Sequence, residues 1–171
     1  MAKVQSFEIK ENSRLKVMGL SFKVKMMDPE IAKQWDLFFK DKKHLPLEEL
    51  RKQFPITEPL DYVGLMWDYD PLQETMSYLI GVIMDPKTPD QPGYTSVFLK
   101  EGIYINAIIE GKGEVYSQAH GLTIKSIDET TYHIAEDFWS MEVYTNERFT
   151  KAMDFGDGSI VLDYRIPLTL R

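Results

Sequence analysis

The sequence predicts an α+β fold in which antiparallel strands carry two main helices. Most apolar runs are short and alternate with polar residues, which is typical of strands. Two longer segments, about 29–39 and 112–127, instead show the apolar spacing of amphipathic helices. The proline-rich stretch Asp85–Gly93 separates two halves, approximately 1–88 and 89–171. In outline each half gives strand, helix, strand, strand, although the second half has its first two strands together before its helix, so we expect a tandem β-α-β-β repeat.

Length and charge limit the class of protein. The 171 residues fit a single domain, 1–171, and the 43% hydrophobic content is enough for a real core. The net charge of −7 argues against direct nucleic acid binding, which needs a basic face, and weakly favours cationic ligands. No signal peptide or membrane-length apolar run is visible. We therefore expect a cytoplasmic protein without a membrane partner.

Cysteine and histidine usage limits the chemistry further. The chain has no cysteine, which excludes disulfides, a thiolate zinc site and a cysteine nucleophile. The histidines, His44, His120 and His133, lie far apart in the sequence and form no i,i+4 pair. We expect no metal and no cofactor. The histidines also show no serine or aspartate pattern that would indicate a nucleophile with its base.

The first half begins with strand-like runs at Val4–Ile9 and Leu15–Met26. A helix should follow, because Asp28 is a good N-cap and Pro29 suits the first helical position. Leu45–Gln53 could form a second, short helix. The strands Tyr62–Tyr69 and Met76–Met84 then read as a hairpin.

The loop of this hairpin holds three acidic residues, Asp68, Asp70 and Glu74. Their spacing matches no calcium loop, which needs a ladder of oxygen ligands and a glycine. Aspartate before proline is ordinary turn chemistry. The turn interpretation is therefore favoured over a divalent ion site.

The second half predicts strands at Tyr94–Lys100, Ile103–Ile109 and Ser159–Leu168, with the 112–127 helix between the second and third. The run Phe138–Tyr144 adds a central strand, on which side chains alternate between two faces. Those faces hold Trp139, Met141 and Val143 on one side, and Ser140, Glu142 and Tyr144 on the other.

Glu142 is the unusual residue of this strand, because it is a lone carboxylate in an aromatic, β-prone run. If its face is solvated, or if it pairs with a lysine or arginine, it needs no special explanation. If its face is covered, a buried charge requires a partner, and a cationic or polar ligand could supply one. The residues of the strand alone leave both interpretations open.

The order of several short motifs resembles the GyrI-like effector-binding domain, the small-molecule-binding domain of many AraC-type and MerR-type multidrug transcription regulators. These motifs are Pro92-Gly93-Tyr94, Lys100-Glu101-Gly102-Ile103-Tyr104, Met141-Glu142-Val143-Tyr144 and Tyr164-Arg165-Ile166-Pro167-Leu168. The resemblance spans most of the chain. It is closest to stand-alone members, because the chain starts at the first strand of the effector domain.

The resemblance implies one curved antiparallel sheet of two related halves, with a cleft between them for hydrophobic, often cationic, planar compounds. The acidic residue of the family's Glu-x-Tyr strand maps onto Glu142, which favours the ligand-pocket interpretation. Aromatic rings would add cation–π attraction of roughly 0.5–2 kcal/mol per contact. The candidate ring residues are Tyr144, Tyr104, Phe98, Trp67, Tyr69, Trp35, Phe39 and Trp139. Trp139 lies on the opposite face from Glu142 in a regular strand, so it reaches the pocket only if the strand bends or begins after it.

The expected function is therefore small-molecule binding, in drug sensing, sequestration or transcription regulation. Two alternatives remain. Some stand-alone relatives are hydrolases of cyclopropane-bearing natural products, and Glu142 with Tyr104 or Tyr144 could supply the acid–base chemistry. One relative inhibits DNA gyrase, which implies a protein partner, although no dense acidic cluster here mimics nucleic acid.

Overall fold

The computed structural model describes residues 1–170. It contains nine strands, four α-helices and one π-helical turn, all strand pairs being antiparallel. The predicted α+β class is confirmed. The elements are β1 (Lys3–Asn12), β2 (Leu15–Lys25), α1 (Pro29–Lys40), α2 (His44–Gln53), β3 (Tyr62–Asp70), β4 (Thr75–Met84), β5 (Thr95–Leu99), β6 (Gly102–Gly111), α3 (Val115–Asp128), β7 (Tyr132–Ile134), β8 (Ser140–Tyr144), the π-helical turn (Asn146–Thr150), α4 (Lys151–Asp154) and β9 (Ile160–Leu170).

The chain forms two compact units that do not follow its linear order. Residues 14–100 make one, the continuous unit. Residues 1–13 join residues 101–170 in the other, the discontinuous unit. Strand β1 therefore belongs with the C-terminal elements, where it pairs along its length with β6.

The continuous unit has the strand order β3-β4-β2-β5. Its helix α1 begins where the sequence predicts, because the Asp28 side chain accepts a hydrogen bond from the Glu30 amide at 2.9 Å. One sheet face joins the helices in an apolar core. This core contains Met18, Val24, Phe38, Leu47, Met76, Tyr78, Ile80, Val82 and Met84.

The acidic hairpin loop of the continuous unit is a turn. The Asp70 carboxylate accepts hydrogen bonds from the amides of Leu72, at 2.9 Å, and Gln73, at 3.3 Å. Asp68 and Glu74 take positive φ angles of 54° and 55°. Among residues 1–170, no group of three His, Asp or Glu side chains is arranged to hold a metal ion.

The discontinuous unit has the strand order β1-β6-β9-β8, and β7 pairs with the far end of β9. Helix α3 packs on β6, β9 and β1. It contributes the buried residues Val115, Ala119, Thr123, Ser126 and Ile127. The sheet face beneath it is apolar at Ile105, Ala107 and Ile109, which are all fully buried.

The two units share one plan, since β2-α1/α2-β3-β4 corresponds to β6-α3-β8-β9. Each unit has one additional strand: β5 pairs with β2 in the continuous unit, and β1 pairs with β6 in the discontinuous unit. The sequence placed the Tyr94–Lys100 strand in the second half, whereas β5 pairs within the continuous unit. None of the helices formed by residues 1–170 combines the length and apolar character needed to cross a membrane.

Candidate ligand-binding site around Glu142

Glu142 lies in the middle of β8, and both faces of that strand are covered. Its residue is only 8% exposed, and the flanking Met141 and Val143 are also buried. The solvated-face interpretation of Glu142 is therefore wrong. The strand begins at Ser140 instead of Phe138, so Trp139 precedes it and is half-buried.

The register of β8 against β9 places Glu142 directly opposite Tyr164. Directly opposed residues of antiparallel strands project to the same face with neighbouring side chains. Tyr164 in turn lies opposite Ala107 on β6. Ala107 belongs to the face on which α3 packs, so the Glu142 carboxylate projects toward the helix-covered side of the discontinuous unit.

Helix α3 brings an imidazole to this position. The His120 Nδ1 atom lies 3.0 Å from the Tyr164 hydroxyl oxygen, and the two rings meet edge to face at 5.7 Å. Phe138 also packs edge to face with His120, with the ring centroids 6.0 Å apart. The imidazole thus contacts both a strand tyrosine and a loop phenylalanine.

Electrostatic effects tie Glu142 to two tyrosines. Burial raises the pKa of Tyr164, a hydrogen bond with Ser140 opposes that rise, and the Glu142 charge adds to it. Burial, followed by the same charge, raises the pKa of Tyr116. Tyr116 lies one helical turn before His120 and is 39% exposed, so it is the outermost member. We call Glu142, Tyr164, Ser140, His120 and Tyr116 the Glu142 cluster.

The predicted site residues of the discontinuous unit lie on both faces of its sheet. Tyr144 shares the face of Glu142, two residues along β8, and packs edge to face on Phe149 at 4.8 Å. Tyr104 lies opposite Pro167 on β9, an odd number of residues from Tyr164, so it projects to the other face. There the Arg165 guanidinium lies 5.1 Å from its ring centroid.

The other predicted aromatics belong to the continuous unit. Trp35 and Phe39 stack within α1 at 6.3 Å, and the Trp35 indole donates a hydrogen bond to the Tyr78 hydroxyl at 2.9 Å. Arg14 covers the Phe98 ring at 4.2 Å. Trp67 is half-buried and Tyr69 is half-exposed near the end of β3. Ligand contact by these residues stays a prediction.

The sequence analysis did not name Tyr116, His120, Phe138 or Tyr164 as candidate site residues. Tyr116 and His120 are separated by four residues in a predicted helix, a spacing that places both on one helix face. That spacing could have singled them out. Pairing of His120 with Tyr164 joins residues 44 positions apart, and no local pattern carries it.

A helix-covered antiparallel sheet built from two units of the same plan is the fold of an effector-binding domain. The chain belongs to the Cass2 family of integron-associated effector binding proteins, whose family model matches residues 8–168. The resemblance predicted from the sequence motifs is confirmed. Comparison with curated proteins gave no significant match.

Several solved structures share this fold at low identity. An integron cassette protein from the mobile metagenome of Vibrio cholerae is 13% identical, with coverage of 98% of this chain and 99% of that chain and a TM-score of 0.56. SAV2435 bound to tetraphenylphosphonium is 15% identical, with coverage of 96% and 94% and a TM-score of 0.65. EcmrR, in a complex with DNA, is 12% identical, with coverage of 97% of this chain and 58% of that chain and a TM-score of 0.60. At these identities the likeness establishes the fold.

Proposed function

We propose that this protein binds hydrophobic organic cations, with Glu142 as the carboxylate that neutralises their charge. The observation that carries the proposal is a glutamate only 8% exposed, on the helix-covered face of its sheet, with Tyr164 directly opposite. In such a low-dielectric position, an ion pair with a poorly hydrated cation is far stronger than in water. Tyrosine faces add cation–π attraction.

The chemistry of the cluster suits bulky, weakly hydrated organic cations. The Glu142 charge acts on the phenols of Tyr164 and Tyr116, and aromatic rings attract such cations through their faces. SAV2435, which shares the fold, was solved with tetraphenylphosphonium, a cation of this class. Binding of this kind would suit drug sensing, sequestration or transcription regulation.

Access to Glu142 requires local movement, because the carboxylate is almost fully covered. Tyr116 is the most exposed member of the cluster and lies in the first turns of α3. A shift of this tyrosine, or of the helix start, would open a route from solvent toward Glu142. We therefore place the ligand entrance at the N-terminal end of α3.

The test is a titration with tetraphenylphosphonium, followed by thermal shift and calorimetry, on wild type and Glu142→Gln. The neutral compound triphenylphosphine oxide serves as the uncharged probe. We expect the cation to stabilise the wild type and its affinity to fall at least about tenfold in Glu142→Gln, a loss of about 1.4 kcal/mol. The neutral probe should bind both proteins alike.

Glu136→Gln is the matched control, because Glu136 is an exposed carboxylate in the segment before β8. Its removal changes the net charge by the same amount without touching the cluster. Equal affinity of all three proteins for the cation, or no stabilisation of the wild type, would overturn the assignment of Glu142.

A second candidate function is hydrolysis, favoured by one specific observation. The Tyr164 hydroxyl connects His120 to the side of Glu142, so a carboxylate, a phenol and an imidazole adjoin one another. These groups can act as general acid and base. Tyr164, and not Tyr104 on the other face, is then the tyrosine that assists Glu142. Mass spectrometry of a reactive cyclopropane compound after incubation decides between the candidates, because a binder returns it unchanged and a hydrolase adds water to it.

A further inference from the structure

Each unit has a buried strand tyrosine whose hydroxyl bonds to the helix above it, but the bonding partner differs between the units. Tyr78 on β4 and Tyr164 on β9 occupy corresponding strands, are both buried, and both bond through the hydroxyl to the helix above. The helix partner of Tyr78 is the indole of Trp35, at 2.9 Å. The partner of Tyr164 is the imidazole of His120, at 3.0 Å.

The neighbours across the sheet differ as well. Tyr78 lies opposite Met66 on β3, whereas Tyr164 lies opposite Glu142 on β8. An indole nitrogen can only donate a hydrogen bond, so the Trp35–Tyr78 bond has one fixed direction. An imidazole can accept or donate, and it can gain a charge near neutral pH. The discontinuous unit therefore has a titratable partner, able to donate or accept, at a tyrosine that lies opposite a carboxylate.

Protonation of His120 would change this hydrogen bond and the local charge together. Neutral His120 can accept the Tyr164 proton at Nδ1, and the tyrosine oxygen then accepts from Ser140. The imidazolium must donate at Nδ1, which reverses the bond at Tyr164. It also places a positive charge beside the tyrosine that lies opposite the carboxylate proposed to hold the ligand.

From this geometry we infer that His120 is the specificity-determining residue of the Glu142 site: neutral, it admits an organic cation, and protonated, it competes with that cation for the carboxylate. The inference rests on the proposed function and names how binding at that site is regulated. Cation binding should consequently weaken as the pH falls, while neutral ligands should be indifferent to pH.

The titratable groups around His120, within residues 1–170, allow this role. Tyr164 faces it from the sheet, Glu142 lies directly opposite Tyr164 on the neighbouring strand, and Tyr116 lies on the same helix as His120. Tyr132 on β7 projects to the same side, and Glu136 and Asp137 are exposed in the segment that carries Phe138. Burial lowers the pKa of His120, so the residue is neutral at pH 7 and titrates below its ordinary range.

The first experiment follows the His120 imidazole by heteronuclear NMR during a pH titration of the ligand-free protein. Removal of the nearby negative charge in Glu142→Gln should lower the His120 pKa by at least about 0.5 unit. Glu136→Gln, which removes an exposed charge, should lower it by less than about half that amount. Equal His120 pKa values in wild type and Glu142→Gln would overturn the inference without any ligand.

The second experiment measures tetraphenylphosphonium affinity from about pH 7.5 to pH 5. Linkage is reciprocal, so a tenfold loss of affinity on protonation must appear as a His120 pKa lowered by one unit when the site is saturated. His120→Trp and His120→Gln should both remove the pH dependence. Two substitutions are used so that a folding defect in one variant does not decide the result. Tryptophan occupies the corresponding position in the continuous unit, and glutamine is smaller than histidine.

His133→Gln is the matched control, because it removes a histidine that is exposed on β7 and outside the Glu142 cluster. Its cation affinity should follow the wild-type pH profile. If the cation binds through Glu142 and neither His120 variant alters the profile, the inference fails while the proposed function stands. If no cation binds at any pH, both fail.

Discussion

At the scale of single residues, the discontinuous unit contains two buried carboxylates with different surroundings. Asp163 on β9 is 1% exposed and accepts two hydrogen bonds from Arg148, at 2.7 and 2.6 Å, and one from Asn106, at 2.9 Å. It projects to the face opposite Glu142. A bidentate arginine is the usual solution for a buried acid. Glu142 lies on the other face, opposite Tyr164 and toward helix α3, and it is the carboxylate to which we assign the ligand.

The Asp163–Arg148 pair should be structural, and Asp163→Asn tests this. The substitution leaves a partly buried guanidinium facing an amide, so we expect the free energy of unfolding to fall by about 2–4 kcal/mol. Urea unfolding measures it. Glu147→Gln removes the solvent-side partner of Arg148, at 3.3 Å, and should cost less than about 0.5 kcal/mol. Equal costs would mean that the inner ion pair contributes no more than an ordinary surface pair.

At the scale of secondary-structure elements, the close pairing of β2 with β4 depends on two opposed glycines. Gly19 lies opposite Gly81, and a Cβ atom built on Gly19 would lie 1.9 Å from the Ile80 carbonyl oxygen. Helix α3 shows the reverse case at Gly121, where a Cβ atom would meet nothing within 4 Å. One glycine is required by backbone contact and the other is an exposed helix interior residue.

Alanine substitution should separate these two glycines. Gly19→Ala must push the strands apart and should lower the stability by more than about 3 kcal/mol, beyond the usual range of single substitutions. Gly121→Ala should raise the stability by roughly 0.5–1 kcal/mol, because alanine is the better helix former. Chemical denaturation of both variants gives the comparison. A Gly19→Ala protein as stable as the wild type would contradict the close approach.

At the scale of the whole molecule, stability should depend on pH at both ends of the ordinary range. Burial lowers the pKa of His120, so the folded state binds fewer protons than the unfolded state. The contribution of neutral His120 to the free energy of unfolding is complete above about pH 6.5, the pKa of histidine in the unfolded state. It is lost as the pH falls toward the pKa of His120 in the folded state. Burial raises the pKa of Tyr62 and Tyr164, so their contribution is complete below about pH 10 and is lost above it.

Thermal unfolding across the pH range measures this profile. We expect a broad maximum between about pH 6.5 and pH 10. His120→Gln should flatten the acid side, and Tyr164→Phe should reduce the fall on the alkaline side. An acid limb between pH 5 and 6.5 that is unchanged in His120→Gln would show that another group governs it.

Much of the fold could be predicted from local sequence. The alternation of apolar and polar residues predicted the ends of most strands to within one or two residues. Asp28 and Pro29 predicted the start of α1, because helix capping acts within a single turn. The short β7 and the π-helical turn were missed, because three to five residues carry too little pattern. The pairing of β1 with β6 was also beyond local reading, since it joins residues about 100 positions apart.

The sequence alone determined the class of fold, the acidic character of the molecule and the singular position of Glu142, because each follows from residue order within a few positions. Only the tertiary structure decided that Glu142 is covered, that Tyr164 lies opposite it and that His120 bonds to that tyrosine. Strand register and helix packing bring these residues together. They depend on contacts distant in sequence, and the periodicity of one strand cannot specify which strand becomes its neighbour.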